Sequence, residues 1–393
     1  MSRRIAVRAA RLFDGADSSP DPLVLVEDGR IVDVGHGAAP PGWEVLDLGG
    51  ATLLPGLVDT HVHLAFDGGP DPIGSLAQRD GDALTAAMAE AAAAQLRAGV
   101  TTVRDLGDRD FSVLGLRGSG AGPLPTIVAA GPPLTSVGGH CHFLGGEVVP
   151  AGIRAAVRAH VERGVDVIKV MASGGMMTAG SDFHAPQFSA GELAVVVDEA
   201  HRHGLPVTAH AHALAAVRDA VAAGVDGIEH CSFLGPEGVV VPDALVEAIV
   251  ARRIAIGSTV GLAPCARDFV PPPQLAALLP HLLAAHARLV DKGAVVVAGT
   301  DAGIAPPKPH GVLPHGLAEL AGLGMSTAAA LRAGTQVAAQ VCGLGHRKGR
   351  IATGYDADLL AVDGDPLADL AALLRPVAVL LRGEPLPTPE TVR

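Results

Sequence analysis

Leu54–Leu64, with the sequence LPGLVDTHVHL, is the stretch on which the interpretation of the chain depends. An apolar run rich in branched residues that opens after Pro55 and Gly56 predicts a buried strand, and residues two apart on a strand point to the same side. His61 and His63 therefore face one space. Two imidazoles at the end of a buried strand can hold a divalent metal, but they can also simply hydrogen-bond to backbone. A metal site requires further ligands from other strands.

Length and composition restrict the class of protein. At 393 residues the chain can form two domains or one large one, and a share of 3% aromatic residues means a core of Ala, Val, Leu and Ile. The net charge is −12 with scattered basic residues, which argues against a nucleic-acid partner. The four cysteines show no C-x-x-C spacing, and no apolar run has the length of a signal peptide or membrane span. We expect a cytoplasmic protein with reduced thiols and no membrane partner.

Strand-like runs alternate with Ala-rich helical stretches through the middle of the chain. The eight strand-like runs are 52–64, 100–107, 125–131, 166–175, 206–212, 226–233, 253–260 and 294–303, and the clearest helical stretches are 83–97, 151–163, 190–203, 213–223 and 275–292. This alternation predicts an α/β fold with a parallel sheet, and eight units close most naturally into a (β/α)8 TIM barrel. A doubly wound sheet is the alternative, but no G-x-G-x-x-G follows the early strands.

The two ends of the chain have a different pattern of short apolar runs separated by Gly and Pro. Glu27-Asp28-Gly29-Arg30 lies between two such runs and predicts a hairpin. We therefore expect residues 1–54 and 346–393 to form one small composite β domain, and residues 55–345 to form the barrel.

Residues suited to bind a metal fall at the ends of five predicted strands. They are His61 and His63 on strand 1, Lys169 on strand 4, His210 on strand 5, His230 on strand 6 and Asp301 on strand 8. Each also has an ordinary explanation: His210 or the nearby His212 can be a barrel histidine, Lys169 can pair with a buried carboxylate, and Asp301 can cap a turn or helix. Their joint placement at the expected active-site end favours a common function.

The motifs PGLVDTHVHL, VIKVMASGG, TAHAH, GIEH and GTDAG together resemble those of the amidohydrolase superfamily. The chain ends resemble the composite β-sandwich that many members carry. GGHCHFLGGE and IKVMASGGMMTAGSDFHAPQFS are similar to the prolidase-like branch with a binuclear metal centre, which contains Xaa-Pro and Xaa-Arg dipeptidases and related amidases. The resemblance implies a metal-dependent hydrolase of a small-molecule substrate that forms a homo-oligomer.

The resemblance also implies roles for the individual residues. Lys169 would carry a carbamate formed from CO2 and bridge two divalent ions, expected to be Zn. The implied ligands of the more buried ion are His61, His63 and Asp301, and those of the more exposed ion are His210 and His230. A hydroxide shared by the two ions would attack the amide or peptide bond of a dipeptide or N-acyl amino acid, with Asp301 as general base and then acid.

Substrate contacts are expected from the loops at the same end. His140 and His142 follow strand 3 and are expected to reach the substrate, with His142 also a catalytic candidate, although either can serve only to order the loop. Arg267, Lys308 and His310 can pair with a substrate carboxylate or be solvated surface groups. Cys231 is expected to point away from the metals if its strand is regular.

Two other functions stay open at this point. The sequence around HVH and TAH also resembles mononuclear deaminases and cyclic-amidine hydrolases of the imidazolonepropionase type, which do not require the strand-4 lysine. Lys169 therefore argues against that alternative. A catalytically inactive barrel that serves as a binding module is the third reading, and the complete ligand set argues against it.

Overall fold

The computed structural model describes residues 3–264 and 273–387. Arg267, Cys265 and most of the Pro-rich loop 263–273 lie outside these described residues. The strands are β1 (Arg4–Arg8), β2 (Arg11–Phe13), β3 (Ser18–Pro20), β4 (Leu23–Glu27), β5 (Arg30–Gly35), β6 (Glu44–Asp47), β7 (Thr52–Pro55), β8 (Leu57–Val62), β9 (Val100–Asp105), β10 (Thr126–Ala129), β11 (Ile168–Met171), β12 (Val207–Ala213), β13 (Gly227–Gly235), β14 (Gly238–Val239), β15 (Ala255–Thr259), β16 (Val296–Gly299), β17 (Leu359–Val362), β18 (Pro376–Leu381) and β19 (Glu384–Pro385).

Helices separate most of the central strands. They are α1 (Pro72–Ala77), α2 (Gly81–Arg97), α3 (Ser112–Gly118), α4 (Ile153–Arg163), α5 (Ala190–Arg202), α6 (Leu214–Ala223), α7 (Asp243–Ala251), α8 (Pro273–Asp291), α9 (Leu313–Gly322), α10 (Thr327–Ala333) and α11 (Gln336–Val341). In the described parts of the chain, no helix is both long enough and apolar enough to cross a membrane.

All eight predicted central strands are present, and they pair in parallel. β8, β9 and β10 form one sheet, and β11, β12, β13, β15 and β16 form another, in chain order apart from the antiparallel β14 beside β13. Two parallel bridges link the sheets, Leu134 with Val170 and Val62 with Ala302. The result is a TIM-barrel-like α/β fold, here called the (β/α)8 unit, whose strands have their C-terminal ends on one side.

The first predicted strand is in fact two strands that belong to different sheets. β7 pairs with β17 and β2, whereas β8 pairs with β9. Gly56 lies between them, and its amide donates to the Asp358 carbonyl of the terminal sheet. A Cβ at Gly56 would lie 2.1 Å from the Thr101 hydroxyl oxygen, so the chain can change sheets at this position only without a side chain.

Strands from the two chain ends share a sheet. Its order is β19-β18-β17-β7-β2-β3, and a second sheet has the order β5-β4-β1-β6. The predicted hairpin is confirmed, because Glu27 pairs with Arg30 across a two-residue turn. Asp28 and Gly29 both have positive φ, as the tight hairpin requires.

The turns that lead from helices into strands of the (β/α)8 unit mostly use glycine. After α2, α4, α5, α6 and α8 the left-handed residue is Gly99, Gly164, Gly204, Gly224 and Gly293 respectively, with φ between 72° and 80°. Glycine is favoured there because it has no Cβ to collide with the carbonyl oxygen. The turn after α7 differs, since its left-handed residue is Arg253, with φ 55°.

Candidate metal centre

Three ligand atoms meet where β8 and β16 end. His61 Nε2 lies 3.3 Å from His63 Nε2 and 3.3 Å from an Asp301 carboxylate oxygen, and His63 Nε2 lies 3.2 Å from that same oxygen. All three residues are buried. Ligands about 2.0–2.1 Å from a tetrahedral zinc ion are about 3.3 Å apart, so this first cluster fits one metal ion.

The outer ring nitrogens of the first cluster are occupied by acceptors. His61 Nδ1 donates to Glu229 at 2.9 Å, and His63 Nδ1 donates to the Gly107 carbonyl at 2.9 Å. These bonds place the proton on Nδ1 of each ring. The Nε2 lone pairs therefore face each other and Asp301, as metal ligands require.

Glu229 is itself held in place by three groups deep in the (β/α)8 unit. Besides His61, its carboxylate accepts from Arg104 Nη2 at 2.9 Å and from the Thr208 hydroxyl at 2.7 Å. A Cβ on Gly257 would lie 2.0 Å from a Glu229 oxygen, so glycine at this position makes room for the carboxylate. Burial by itself would raise the pKa of Glu229, but Arg104 and His61 outweigh it and hold that pKa far below its usual range.

A second cluster consists of imidazoles from β12 and β13. Ligand atoms of His210, His212 and His230 all lie within 4.8 Å of one another. His230 Nδ1 is 2.9 Å from the Thr259 hydroxyl, and His212 Nδ1 is 2.8 Å from the Ser232 hydroxyl.

Ring packing joins the second cluster to the first. The His61 and His230 ring centroids are 5.4 Å apart. His210 Nε2 donates to the Gly174 carbonyl at 3.2 Å, which leaves its Nδ1 lone pair for a ligand.

Lys169 on β11 has an unusual environment for a lysine. Its side chain is buried, and its Nζ has no hydrogen-bond partner among the described residues. Burial lowers the pKa of the ammonium to about 8, and the charges of Glu229 and Asp301 offset only part of this effect. The alternative that Lys169 pairs with a buried carboxylate does not agree with this geometry.

The protonation states of most of the other ligands also suit a metal. Burial and the Lys169 charge lower the pKa of His61 to about 4. Burial and neighbouring imidazoles hold the pKa of His210 and of His230 well below the usual value. Burial opposes ionisation of Asp301, but His61 and His63 outweigh it and lower the pKa of the carboxyl well below its usual range. At neutral pH the rings of His61, His210 and His230 are therefore neutral and Asp301 is ionised. Burial opposes protonation of His63, but Asp301 outweighs it and raises the pKa of that ring.

Two of the predicted ligands have strained backbone. His230 has φ 66° and Asp301 has φ 60°, in the left-handed region that costs a residue with a Cβ about 1–3 kcal/mol. Next to Asp301, the Thr300 amide and hydroxyl donate to Asp59 at 3.0 and 2.6 Å. Asp59 therefore holds the turn that presents Asp301 to the first cluster.

The two loop histidines have different positions. His140 is buried, its ring centroid lies 4.8 Å from that of His210, and its Nδ1 is 3.1 Å from the Thr178 hydroxyl. That hydroxyl oxygen already accepts from the Cys141 amide at 2.8 Å, which favours donation to His140 Nδ1 and a proton on Nε2. His142 is exposed, and its ring packs beside Phe143 at 6.1 Å. The structure thus places His140, and not His142, beside the imidazoles of the second cluster.

Lys308 and His310 are neither surface groups nor free to bind substrate. Lys308 Nζ donates to the carbonyls of Thr259 and Thr300 at 2.8 and 2.9 Å, and His310 Nε2 donates to the Phe66 carbonyl at 2.9 Å. Cys231 is buried, and burial raises the pKa of its thiol far above the usual value. It follows His230 in a stretch of left-handed backbone, so the regular strand assumed for it is absent.

Three residues of this centre were not singled out from the sequence. Glu229 contacts Arg104 and His61 across more than 100 residues of chain, so spacing alone could not find this network. His212 could have been found, because the alternation that places His61 and His63 on one side of a strand applies equally to His210 and His212.

Comparison with known proteins shows what this chain is similar to. The sequence profile of the Amidohydrolase family matches residues 52–386. The ochratoxinase of Aspergillus niger is 30% identical over 361 residues, covering 83% of this chain and 73% of that protein. An imidazolonepropionase of Cereibacter sphaeroides is 28% identical, covering 96% of this chain and 97% of that protein. The crystal structure of an Xaa-Pro dipeptidase with bound methionine in the active site has a TM-score of 0.85 at 26% identity, covering 98% of this chain and 99% of that chain.

Proposed function

This chain belongs to the amidohydrolase family, in agreement with its prolidase-like motifs, and from this premise we propose that it is a metal-dependent hydrolase that cleaves an amide or peptide bond of a small substrate such as a dipeptide or an N-acyl amino acid. The observation that carries the proposal is Lys169, a buried amine without a partner among the described residues. Its charge acts on His61 of the first cluster and on His210 and His230 of the second.

Two divalent ions, expected to be Zn, are proposed as cofactors. The first would be held by His61, His63 and Asp301, and the second by His210 and His230. The close approach of the three ligand atoms in the first cluster supports this assignment. When bound, such ions supply Lewis-acid chemistry that acidifies water and polarises a carbonyl group.

Lys169 is proposed to bridge the ions as a carbamate. With a pKa of about 8 a sizeable fraction of the amine is neutral near pH 7–8. The neutral nitrogen attacks the carbon of CO2, the new N–C bond forms, and one proton is lost to solvent. The product carries one negative charge and two oxygen ligands. Bonds from these oxygens would give the Lys169 side chain the partners that its amine lacks among the described residues.

The remaining residues provide proton transfer and orientation. Asp301, ionised at neutral pH, accepts a proton from the attacking water and passes it to the leaving amine. His140 is neutral, since burial and Lys169 lower its pKa to about 4, and its Nε2–H can donate to a substrate oxygen. A contact of His142 with substrate stays a prediction.

The fold and its surroundings allow related proposals. The bridges Leu134–Val170 and Val62–Ala302 support a closed barrel over residues 55–345. The sheet shared by β2, β7, β17 and β18 supports a composite β-sandwich domain from residues 1–54 and 346–393.

The unpaired, buried Cys141, Cys231 and Cys342 support a reducing, cytoplasmic setting. A homo-oligomer without nucleic-acid or membrane partners is also proposed.

A second candidate is a mononuclear hydrolase of a cyclic amidine. The similarity to an imidazolonepropionase favours it, and the first cluster can hold one ion without Lys169. The two candidates differ in metal content and in their dependence on the lysine.

The test uses protein produced with Zn and bicarbonate. Dipeptides and N-acyl amino acids are screened by release of free amine, imidazolone ring opening is assayed in parallel, and metal is counted by elemental analysis. We expect about two ions per chain and amine release, with Lys169→Met retaining about one ion and losing activity. Arg218→Met, a matched change of an exposed cation on α6, should alter neither. Full activity with one ion per chain, or ring opening that survives Lys169→Met, would establish the mononuclear alternative instead.

A further inference from the structure

We propose that the (β/α)8 unit has a second binding site, at the end opposite the metal centre, which takes a small organic carboxylate with an apolar body. The site is a cavity of about 610 Å³ beneath the N-terminal ends of the strands. Volumes of this size accommodate small organic ligands. The proposal does not depend on the hydrolytic function, because none of the metal-binding side chains lines this cavity.

The cavity lies between the strand starts and the last two helices of the (β/α)8 unit. Its walls include the first residues of β12, β13, β15 and β16, together with side chains of α10 and α11. Most of these side chains are aliphatic, for example Val207, Val296, Val337 and Met325. The body of a ligand that fills this space must therefore be apolar.

Three guanidinium groups also line the cavity: those of Arg104, Arg253 and Arg332. Arg104 is buried, and its Nε and Nη2 donate to the Thr60 carbonyl and to Glu229, which leaves Nη1 without a partner among the described residues. Arg253, which is exposed, and Arg332, which is half-buried, make no side-chain hydrogen bond or ion pair within the described parts of the chain. The carboxylate that lines the cavity, Asp226, is already bound to His201 at 2.8 Å. The Arg104 charge is paired with Glu229, but the charges of Arg253 and Arg332 have no carboxylate partner among the described residues, and an anionic group of a ligand would balance them.

Arg253 gives independent support. It occupies the left-handed position after α7, where five equivalent helix ends of this chain have glycine. The hydrogen bonds of this turn are formed normally, with the Arg253 amide donating to Val250 and the Ile254 amide to Ile249. Glycine would satisfy the same turn without strain, so the backbone does not call for arginine. A contact between the Arg253 side chain and a ligand in the cavity would explain why arginine occupies this position.

The aliphatic walls and the guanidinium groups of the cavity together define the class of ligand. An inorganic anion would pair with the guanidinium groups but leave the aliphatic walls uncovered, and a neutral apolar compound would leave the arginines unmatched. A medium-chain monocarboxylate meets both requirements, because Arg forms strong charge-assisted bonds with carboxylates.

Calorimetric titration of the metal-loaded protein tests the site with sodium octanoate, octanamide and inorganic phosphate as probes. We expect octanoate to bind with one site per chain, and octanamide and phosphate to bind at least about tenfold more weakly. Arg332→Met and Arg253→Gly should each weaken octanoate about tenfold or more, while the exposed control Arg218→Met leaves it unchanged. Arg253→Gly should also raise the Tm, by about 1–2 °C, because it removes the left-handed strain.

Arg253→Gly is expected to weaken octanoate binding and to raise the Tm, and these two changes together distinguish a lost ligand contact from a loss of structure. A variant that is more stable yet binds octanoate more weakly has lost a ligand contact and not its structure. The proposal is overturned if octanoate fails to bind at about 10 mM, or if it binds equally well to Arg332→Met and Arg253→Gly, which would place it at the metal centre. Phosphate that binds as tightly as octanoate, or a lower Tm in Arg253→Gly, would contradict it as well.

Discussion

The two ligand clusters are built from the same residue type but differ in the charge that surrounds them. The first cluster contains an ionised carboxylate, Asp301, and a second carboxylate, Glu229, accepts the proton of one of its imidazoles. The second cluster consists of neutral imidazoles whose partners are the hydroxyls of Thr259 and Ser232 and a backbone carbonyl.

This difference bears on how strongly each cluster holds a cation. A carboxylate behind an imidazole fixes its tautomer and raises its basicity, whereas a hydroxyl fixes the ring with no added charge. The first cluster is therefore expected to retain its ion, and the second to depend on an anionic ligand from elsewhere. Lys169, once converted to a carbamate, would be the source of that charge. A cluster that holds its ion less strongly is also better suited to exchange ligands with substrate.

The largest effect is expected from the ionised member of the first cluster. Asp301→Asn keeps an oxygen toward His61 and His63 but loses the proposed proton acceptor, so kcat should fall by about 10²–10⁴. Thermal unfolding should change little, because the amide has the shape of the carboxylate. Steady-state kinetics with the substrate found by screening, together with a circular-dichroism melt, provide the measurement.

Asp59→Asn is the matched control, since this carboxyl lies two residues from His61 and is equally buried. Burial raises the pKa of Asp59 to about 7, so an amide replaces a group that is about half protonated at neutral pH. Its kcat should stay within about tenfold of the parent value. Because Asp59 holds the turn that presents Asp301, comparable losses in both variants would mean that the position of Asp301, and not proton transfer by its carboxylate, limits turnover.

Much of this arrangement was readable from the sequence because it depends on local pattern. The alternation around His61 and His63, the apolar run that contains Lys169 and the turn at 27–30 all lie within about ten residues, where period and turn chemistry apply. The orienting network could not be read in this way. Glu229 is an acid inside a buried strand, and its role becomes visible only when Arg104 and His61 are brought to it by the fold.

The predictions for Lys308 and for the two loop histidines were less successful for the same reason, because they depend on contacts that only the fold brings together. Lys308 is a cation in a Pro-rich loop, a composition typical of exposed segments. Its amine nevertheless donates to the backbone carbonyls of Thr259, at the end of β15, and of Thr300, just after β16. His140 and His142 look equivalent in sequence, but the left-handed Cys141 between them sends one ring inward and the other toward solvent.

A smaller effect is expected when the charge behind His61 is removed. Glu229→Gln should weaken metal binding at the first cluster by about 10–100-fold, the usual consequence of losing a carboxylate behind a ligand imidazole. Competition with a chelator of known affinity, followed by elemental analysis, measures the change. The variant should also be less stable, because it leaves the buried Arg104 charge without its partner.

A double variant separates these two consequences. Arg104→Met with Glu229→Gln removes the unpaired charge, so the Tm should recover toward the parent value while metal binding stays weak. If metal affinity recovered together with the Tm, Glu229 would act only through stability of the fold, and the contrast between the clusters would lose its basis.

The smallest effect is expected at the second cluster. Thr259→Val has nearly the same shape as the parent side chain but lacks the hydroxyl that lies 2.9 Å from His230 Nδ1. Because that hydroxyl orients the ring without adding charge, its loss should weaken binding of the second ion by less than about tenfold, below the change expected for Glu229→Gln. The same chelator titration applies, with occupancy followed at about one and about two ions per chain so that each cluster is resolved. A loss as large as that of Glu229→Gln would show that orientation, and not carboxylate charge, decides how tightly each cluster holds its metal.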